Sequence, residues 1–148
     1  MAFFKGQETY SIDSKNRVAI PVKMRKAMSE EAEDTFNVTL GSEGCIAAYP
    51  MDEWKKYQDK FSHLNQFNEK TRFFLRTLLQ WSEDAVLDGQ QRILLPKQLT
   101  EQTGIKGKIL IVGMIDHLEF WDPEKYSDYM NGHNQTYESV AAEVMSAE

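Results

Sequence analysis

Cysteine is almost missing from this chain. Cys45 is the only one, so no internal disulfide framework can exist. Its setting, Gly44-Cys45-Ile46-Ala47-Ala48-Tyr49, reads as a small apolar residue in a strand rather than a nucleophile. The histidines are few as well. His63, His117 and His133 are widely spaced, with no cysteine or second histidine at ligand spacing, so no metal site is expected. No apolar run approaches the roughly 18 residues that a membrane span requires. The opening Met1-Ala2-Phe3-Phe4-Lys5 lacks the long apolar core of a signal peptide, so a cytoplasmic location is expected. A phosphate-cradling glycine loop and a nucleophile with a base at motif spacing are also lacking. An enzyme, a cofactor and a small-molecule substrate are therefore not expected.

Positive charge is not in excess either: 17 basic side chains stand against 23 acidic ones, for a net charge of −6. The total excludes a uniformly basic nucleic-acid coat, but its distribution says more than its sum. Residues 1–74 are balanced, with 11 charges of each sign, and the whole deficit lies in residues 75–148. Within residues 1–28, Lys5, Lys15, Arg17, Lys23, Arg25 and Lys26 face only Glu8 and Asp13. A basic patch on an acidic body is a local footprint for a polyanion. In residues 85–100 the corresponding set is only Arg92 and Lys97 against Asp88.

What the chain does contain is a pattern written twice. Asp13-Ser14-Lys15-Asn16-Arg17-Val18-Ala19-Ile20-Pro21 returns 75 positions later as Asp88-Gly89-Gln90-Gln91-Arg92-Ile93-Leu94-Leu95-Pro96. Ile12 and Leu87 precede the two copies, and duplication explains such a match far better than chance. One copy reads as a β-hairpin that feeds a helix. The aspartate accepts a backbone N–H two residues on, as turn aspartates do, and the position before the arginine is left-handed, which Asn16 tolerates and Gln91 tolerates less well. A short strand follows, Pro21 or Pro96 ends it, and an amphipathic helix begins. Seen once, Asp-x-x-x-Arg is a turn aspartate beside an exposed arginine; seen twice in the same setting, it asks for a shared purpose.

Around these copies the expected order is strand Gln7 to Ile12, strand Arg17 to Ile20, and helix Val22 to Met28. Phe36, Val38 and Leu40 alternate with Asn37 and Thr39 as in a half-buried strand. Gly41-Ser42-Glu43-Gly44 turns that strand back into Cys45 to Tyr49, and a helix follows with Trp54, Tyr57 and Phe61 on one face. His63 to Ser82 reads as the longest helix, with Phe67, Phe74, Leu75 and Leu78 marking a core stripe, extended to Trp81, that leaves Phe73 and Leu79 outside. The second half repeats the order at an offset of 72, aligning Gly41 with Gly113 and Tyr49 with Trp121. Asp122-Pro123-Glu124 starts a further helix, and in the polar tail after Gly132 no more than a weak helix over Val140 to Met145 is expected, with fraying.

The residues Phe4-Lys5-Gly6, Asp13 to Arg17, Pro21 with Arg25, Asp88 to Pro96, Val112-Gly113 and Phe120-Trp121-Asp122 resemble the MraZ family. The resemblance covers residues 3–130. It implies an α+β fold of two tandem swapped-hairpin (SpoVT-AbrB-like) β-barrel half-domains sharing a core, with peripheral helices. The expected divisions are a first repeat over 1–62, a bridging helix over 63–82, a second repeat over 83–131 and a tail over 132–148. It also implies a nucleoid-associated transcriptional regulator that binds double-stranded DNA at direct repeats in the promoter of a bacterial division and cell-wall gene cluster, and that assembles as a homo-oligomeric ring. The family usually has glycine where this chain has Asn16 and Gln91, and often arginine where it has Thr100; the turn is expected to survive both changes. The candidate DNA-binding residues are Arg17 for base reading, with Lys15, Lys5, Lys23, Arg25 and Arg92 beside it; Asp13, Asn16 and Asp88 organise the turns. A protein-interaction or antitoxin-like scaffold is the alternative. Half-length repeats of about 75 residues would be marginal alone, so a shared core or an oligomer is expected on size as well.

Overall fold

The computed structural model describes residues 2–147. The strands are β1 (Gln7–Ser11), β2 (Arg17–Ala19), β3 (Thr35–Leu40), β4 (Ile46–Pro50), β5 (Glu83–Val86), β6 (Arg92–Leu94), β7 (Lys108–Met114) and β8 (His117–Trp121). The helices are α1 (Val22–Lys26), α2 (Met51–Ser62), α3 (Glu69–Leu79), α4 (Lys97–Thr103), α5 (Pro123–Asn131) and α6 (Tyr137–Ser146), with a 3-10 turn at Glu30–Ala32. The fold is α+β. Six strands form one sheet in the order β1-β7-β8-β4-β3-β5, and β2 and β6 form a separate two-stranded ribbon; every pairing is antiparallel. Among the described residues no helix is long and apolar enough to cross a membrane.

The strands of one copy do not pair with each other as a simple hairpin would. Asp13 N–H donates to the Arg17 carbonyl at 3.0 Å, which closes the turn, but the ladder stops there. β1 pairs instead with β7 of the second half, Gln7 opposite Val112 and Ser11 opposite Lys108. β2 pairs with β6, Val18 opposite Ile93. A two-stranded hairpin of one repeat would be marginal in water, whereas pairing across the repeats puts Val18 and Ile93 into one core. That core takes Val18, Ile20, Met24, Phe36, Val38 and Ile46 from the first half and Ile93, Leu95, Leu99, Ile111, Leu118 and Phe120 from the second. Burying each large side chain contributes about 1.5–3 kcal/mol, so each half relies on the other for much of its stability. β4 and β8 join the halves at the middle of the sheet, Ile46 opposite Phe120.

Three further expectations change. β3 is covered on both faces: Asn37 and Thr39 are buried along with Phe36 and Val38, because α3 and the chain after it pack over the polar face. Thr39 donates to the Leu78 carbonyl at 2.8 Å, and the Asn37 amide donates to Ser82 at 2.8 Å and Asp84 at 3.1 Å. The expected helix from 63 to 82 is shorter. The chain turns after Ser62 and α3 starts only at Glu69, because the Asn65 and Asn68 side chains accept from Phe67 N–H and Lys70 N–H and so compete with helical bonding. The longest helix is α2, and Phe67, placed in the core stripe, is 96% exposed. The tail carries α6, longer at both ends than the weak helix expected over Val140 to Met145. Thr136 caps it by accepting from Ser139 N–H at 3.1 Å, and an alanine-containing run continues it, though it buries no residue.

Gly113 sits where the amino-terminal segment crosses β7. Its N–H donates to the Gly6 carbonyl at 2.8 Å, while Phe4 and Ile115 exchange both backbone bonds. A Cβ at 113 would lie 2.8 Å from the Lys5 Cα and carbonyl carbon. Gly113→Ala is therefore expected to push this segment off the sheet and lower stability by about 1–3 kcal/mol, read as a lower urea midpoint. An unchanged midpoint would contradict the close approach.

Candidate nucleic-acid interface

The duplicated sequence folds into duplicated geometry. One Asp13 carboxylate oxygen accepts from Lys15 N–H at 2.9 Å and Arg17 N–H at 2.8 Å, and the other accepts from Arg17 Nε at 2.9 Å. Asp88 does the same with Gln90 N–H at 2.8 Å, Arg92 N–H at 3.0 Å and Arg92 Nε at 3.0 Å. Asn16 and Gln91 are both left-handed, with φ of 62° and 61°. The backbone N–H groups of Arg17 and Arg92, before any other partner, hold the two aspartates below the ordinary carboxylate range. Each aspartate thus shapes its turn and fixes its own arginine's direction.

The turns lie beside one another. In the ribbon, Arg17 stands opposite Leu94 and Ala19 opposite Arg92. Alternation turns Val18 and Ile93 into the core and leaves Arg17, Ala19, Arg92 and Leu94 on the outer face. Arg92 reaches across with a terminal nitrogen 3.5 Å from Asp13, so Arg17, Asp13, Arg92 and Asp88 form one chain of ion pairs. The side chain of Arg17 remains 33% exposed and that of Arg92 25%. Arg92 divides its donors between two carboxylates, while Arg17 serves one.

The halves then diverge. The Ile20 carbonyl accepts from Arg25 Nε at 3.0 Å. At the matching place in the second half Thr100 stands instead of an arginine, and the Leu95 carbonyl accepts from the Asn16 amide at 3.2 Å. The same amide donates to Thr100 Oγ1 at 2.8 Å. The two departures from the family pattern at Asn16 and Thr100 therefore compensate each other: the shorter Thr100 leaves a carbonyl that the longer Asn16 satisfies across the ribbon. Arg25 spends Nε on the backbone, so only its terminal nitrogens are left for a ligand. Lys15 is exposed at the first turn, and the Lys23 ammonium lies over Gly6, next to the exposed Lys5. The candidate residues thus fall into the ribbon set of Lys15, Arg17 and Arg92, a second set of Lys5 and Lys23, and Arg25 on α1.

Sequence reading missed a polar cluster on the opposite face of the sheet. His117 stacks on Tyr49 at 4.7 Å, with its Nδ1 2.8 Å from Asp116 and its Nε2 3.7 Å from Glu119. Tyr57 of α2 donates to Asp116 at 2.8 Å. Burial opposes the charged imidazole, but Glu119 and Asp116 outweigh it and raise the His117 pKa. The stabilisation is then fully present below the unfolded value of 6.5 and is lost as pH rises through the higher folded value. Melting temperature should accordingly fall between pH 6 and pH 8 more in the native chain than in His117→Gln; identical pH profiles would exclude the linkage. Cys45 is fully buried and burial pushes its thiol well up, in keeping with a packing role.

The family model described as "MraZ protein, putative antitoxin-like" matches residues 3–77 and again 82–145. The chain is 36% identical over 138 residues to the transcriptional regulator MraZ of Clostridium beijerinckii, covering 93% of this chain and 94% of that protein. It is 34% identical over 142 residues to the transcriptional regulator MraZ of Natranaerobius thermophilus, covering 96% of each. With the transcriptional regulator MraZ of Clostridium acetobutylicum the identity is 36% over 126 residues, covering 85% of this chain and 86% of that protein. Two family matches that fall on the two halves marked out by the doubled turn, and relatives this similar over nearly the whole length, establish that the chain belongs to the MraZ family.

Proposed function

We propose that this protein is a sequence-specific DNA-binding transcriptional regulator whose reading head is the β2–β6 ribbon. One observation carries the reading: two arginines, each aimed by its own aspartate, share the outer face of a two-stranded ribbon whose inner face is anchored in the core. A ribbon of this width enters the major groove, and an arginine there donates two hydrogen bonds to guanine O6 and N7. Arg17 reads bases, and Lys15, Lys5, Lys23 and Arg25 contact phosphates, which position without specifying. Asp13 and Asp88 organise the turns, since phosphate would repel their charge. The exchange of strands between the halves favours the swapped-hairpin half-barrel description, with a first repeat over 1–62, a connecting segment over 63–82, a second repeat over 83–131 and a tail over 132–148. The proposal extends to direct repeats in a division and cell-wall promoter as the target, a ring-shaped homo-oligomer as the assembly, and a place at the nucleoid.

A scaffold without a DNA target is the second reading, favoured by the exposed aromatics Phe67, Phe73 and Trp81 on the α2–α3 side. Salt separates the two. Affinity for the protein's own upstream region should fall by about 0.9 log unit per phosphate contact for each tenfold rise in salt. Equal affinity for that region and an unrelated duplex at every salt concentration would leave the scaffold.

A further inference from the structure

The outer face of the ribbon holds one large apolar side chain among its charges. Leu94 is 57% exposed, although Ile93 and Leu95 on either side of it are buried. It lies outside the core clusters, so packing within the protomer does not account for a leucine at this position. A single exposed leucine needs no explanation in general; its position is what matters here. Leu94 is the ladder partner of Arg17, and directly opposed residues of an antiparallel pair hold their side chains about 5 Å apart. Bases on a DNA strand are spaced by about 3.4 Å. A side chain beside the base-reading arginine would therefore meet an adjacent base pair. The apolar feature that the major groove presents there is the C5-methyl group of thymine.

The duplicate does not match. Ala19 occupies the equivalent place, opposite Arg92, and is half-buried. The outer face is thus symmetric in its arginines and asymmetric in its apolar contacts. We propose that Leu94 is a specificity-determining residue that packs against the methyl group of a thymine in the base pair next to the guanine read by Arg17, and that Ala19 is too short to make the same contact beside Arg92. This inference rests on the DNA-binding reading above and adds to it the identity of a second base and the reason one half-site differs from the other. The element read by one protomer is accordingly not a palindrome: thymine is specified on the Arg17 side alone.

The experiment selects bound sequences from a randomised duplex pool with the full chain, then replaces each thymine of the enriched element by deoxyuridine, which keeps the base pair and removes only the methyl group. With the native protein, one position adjacent to a specified guanine should lose about fourfold in affinity, the effect of unburying one methyl-sized group. With Leu94→Ala the same replacement should cost nothing, and selection should no longer prefer thymine there. Melting of Leu94→Ala checks that this surface change leaves the fold intact. The inference is overturned if no thymine is enriched beside the guanine, or if deoxyuridine costs the same in both proteins. Failure of the broader reading looks different: no sequence would be enriched at all, and Leu94 would lose its assignment with it.

Discussion

Replacing Arg17 with alanine is expected to remove specific DNA binding, while Arg92→Ala weakens it less. A bidentate arginine–guanine contact is worth about 1–3 kcal/mol of discrimination, or roughly 5- to 150-fold for each ribbon engaged. Where two ribbons of one assembly bind together these factors multiply, so the loss reaches about 25- to 2 × 10⁴-fold. Two observations predict the inequality. Arg92 is the more occupied guanidinium, shared between Asp13 and Asp88, and its turn carries Gln90 where the first carries Lys15. Removing Arg92 also leaves the Arg17–Asp13 pair in place, so the dominant reader keeps its orientation. Gel-shift titrations of both variants on the native upstream region decide the matter; equal losses would show that the two turns contribute alike.

The second large effect concerns assembly. Phe73 is 68% exposed on α3, a helix with no fully buried residue, and Phe67, Phe74 and Leu79 are exposed near it. Such a surface is costly on a monomer and fits a contact between copies of the chain. Repeated contacts of one kind close into a ring when the rotation permits, and a ring sets several ribbons side by side. Deleting one of two DNA repeats should then cost about 10²–10⁴-fold in affinity rather than a factor of two, because the second repeat is bound at a high effective concentration. Phe73→Asp should lower both the mass measured by light scattering and the affinity for the two-repeat site. A native chain that scatters as a monomer and binds one repeat as well as two would exclude this mechanism.

Local chemistry was fully legible in the residues. Aspartate, arginine and the left-handed position between them dictate the turn, and Asp13 and Asp88 make its hydrogen bonds as that pattern requires because the partners within each turn lie no more than four residues away. The cap at Asp122 is local in the same way. Partner choice was not legible. A three-residue strand such as Arg17–Ala19 has no pattern that names its neighbour, and the pairing of β2 with β6 depends on a core assembled from residues about 75 positions apart. For the same reason Asn37 and Thr39 read as outward-facing until α3 covers them. The sequence by itself determined two turns, each with its aspartate and arginine. Tertiary structure alone decided that they share one ribbon, that Arg92 is tied to Asp13, that Asn16 answers for Thr100, and that Leu94 stands beside Arg17. Turns close through neighbours in the chain, whereas these four relations arise only when burial of a common core brings the halves together.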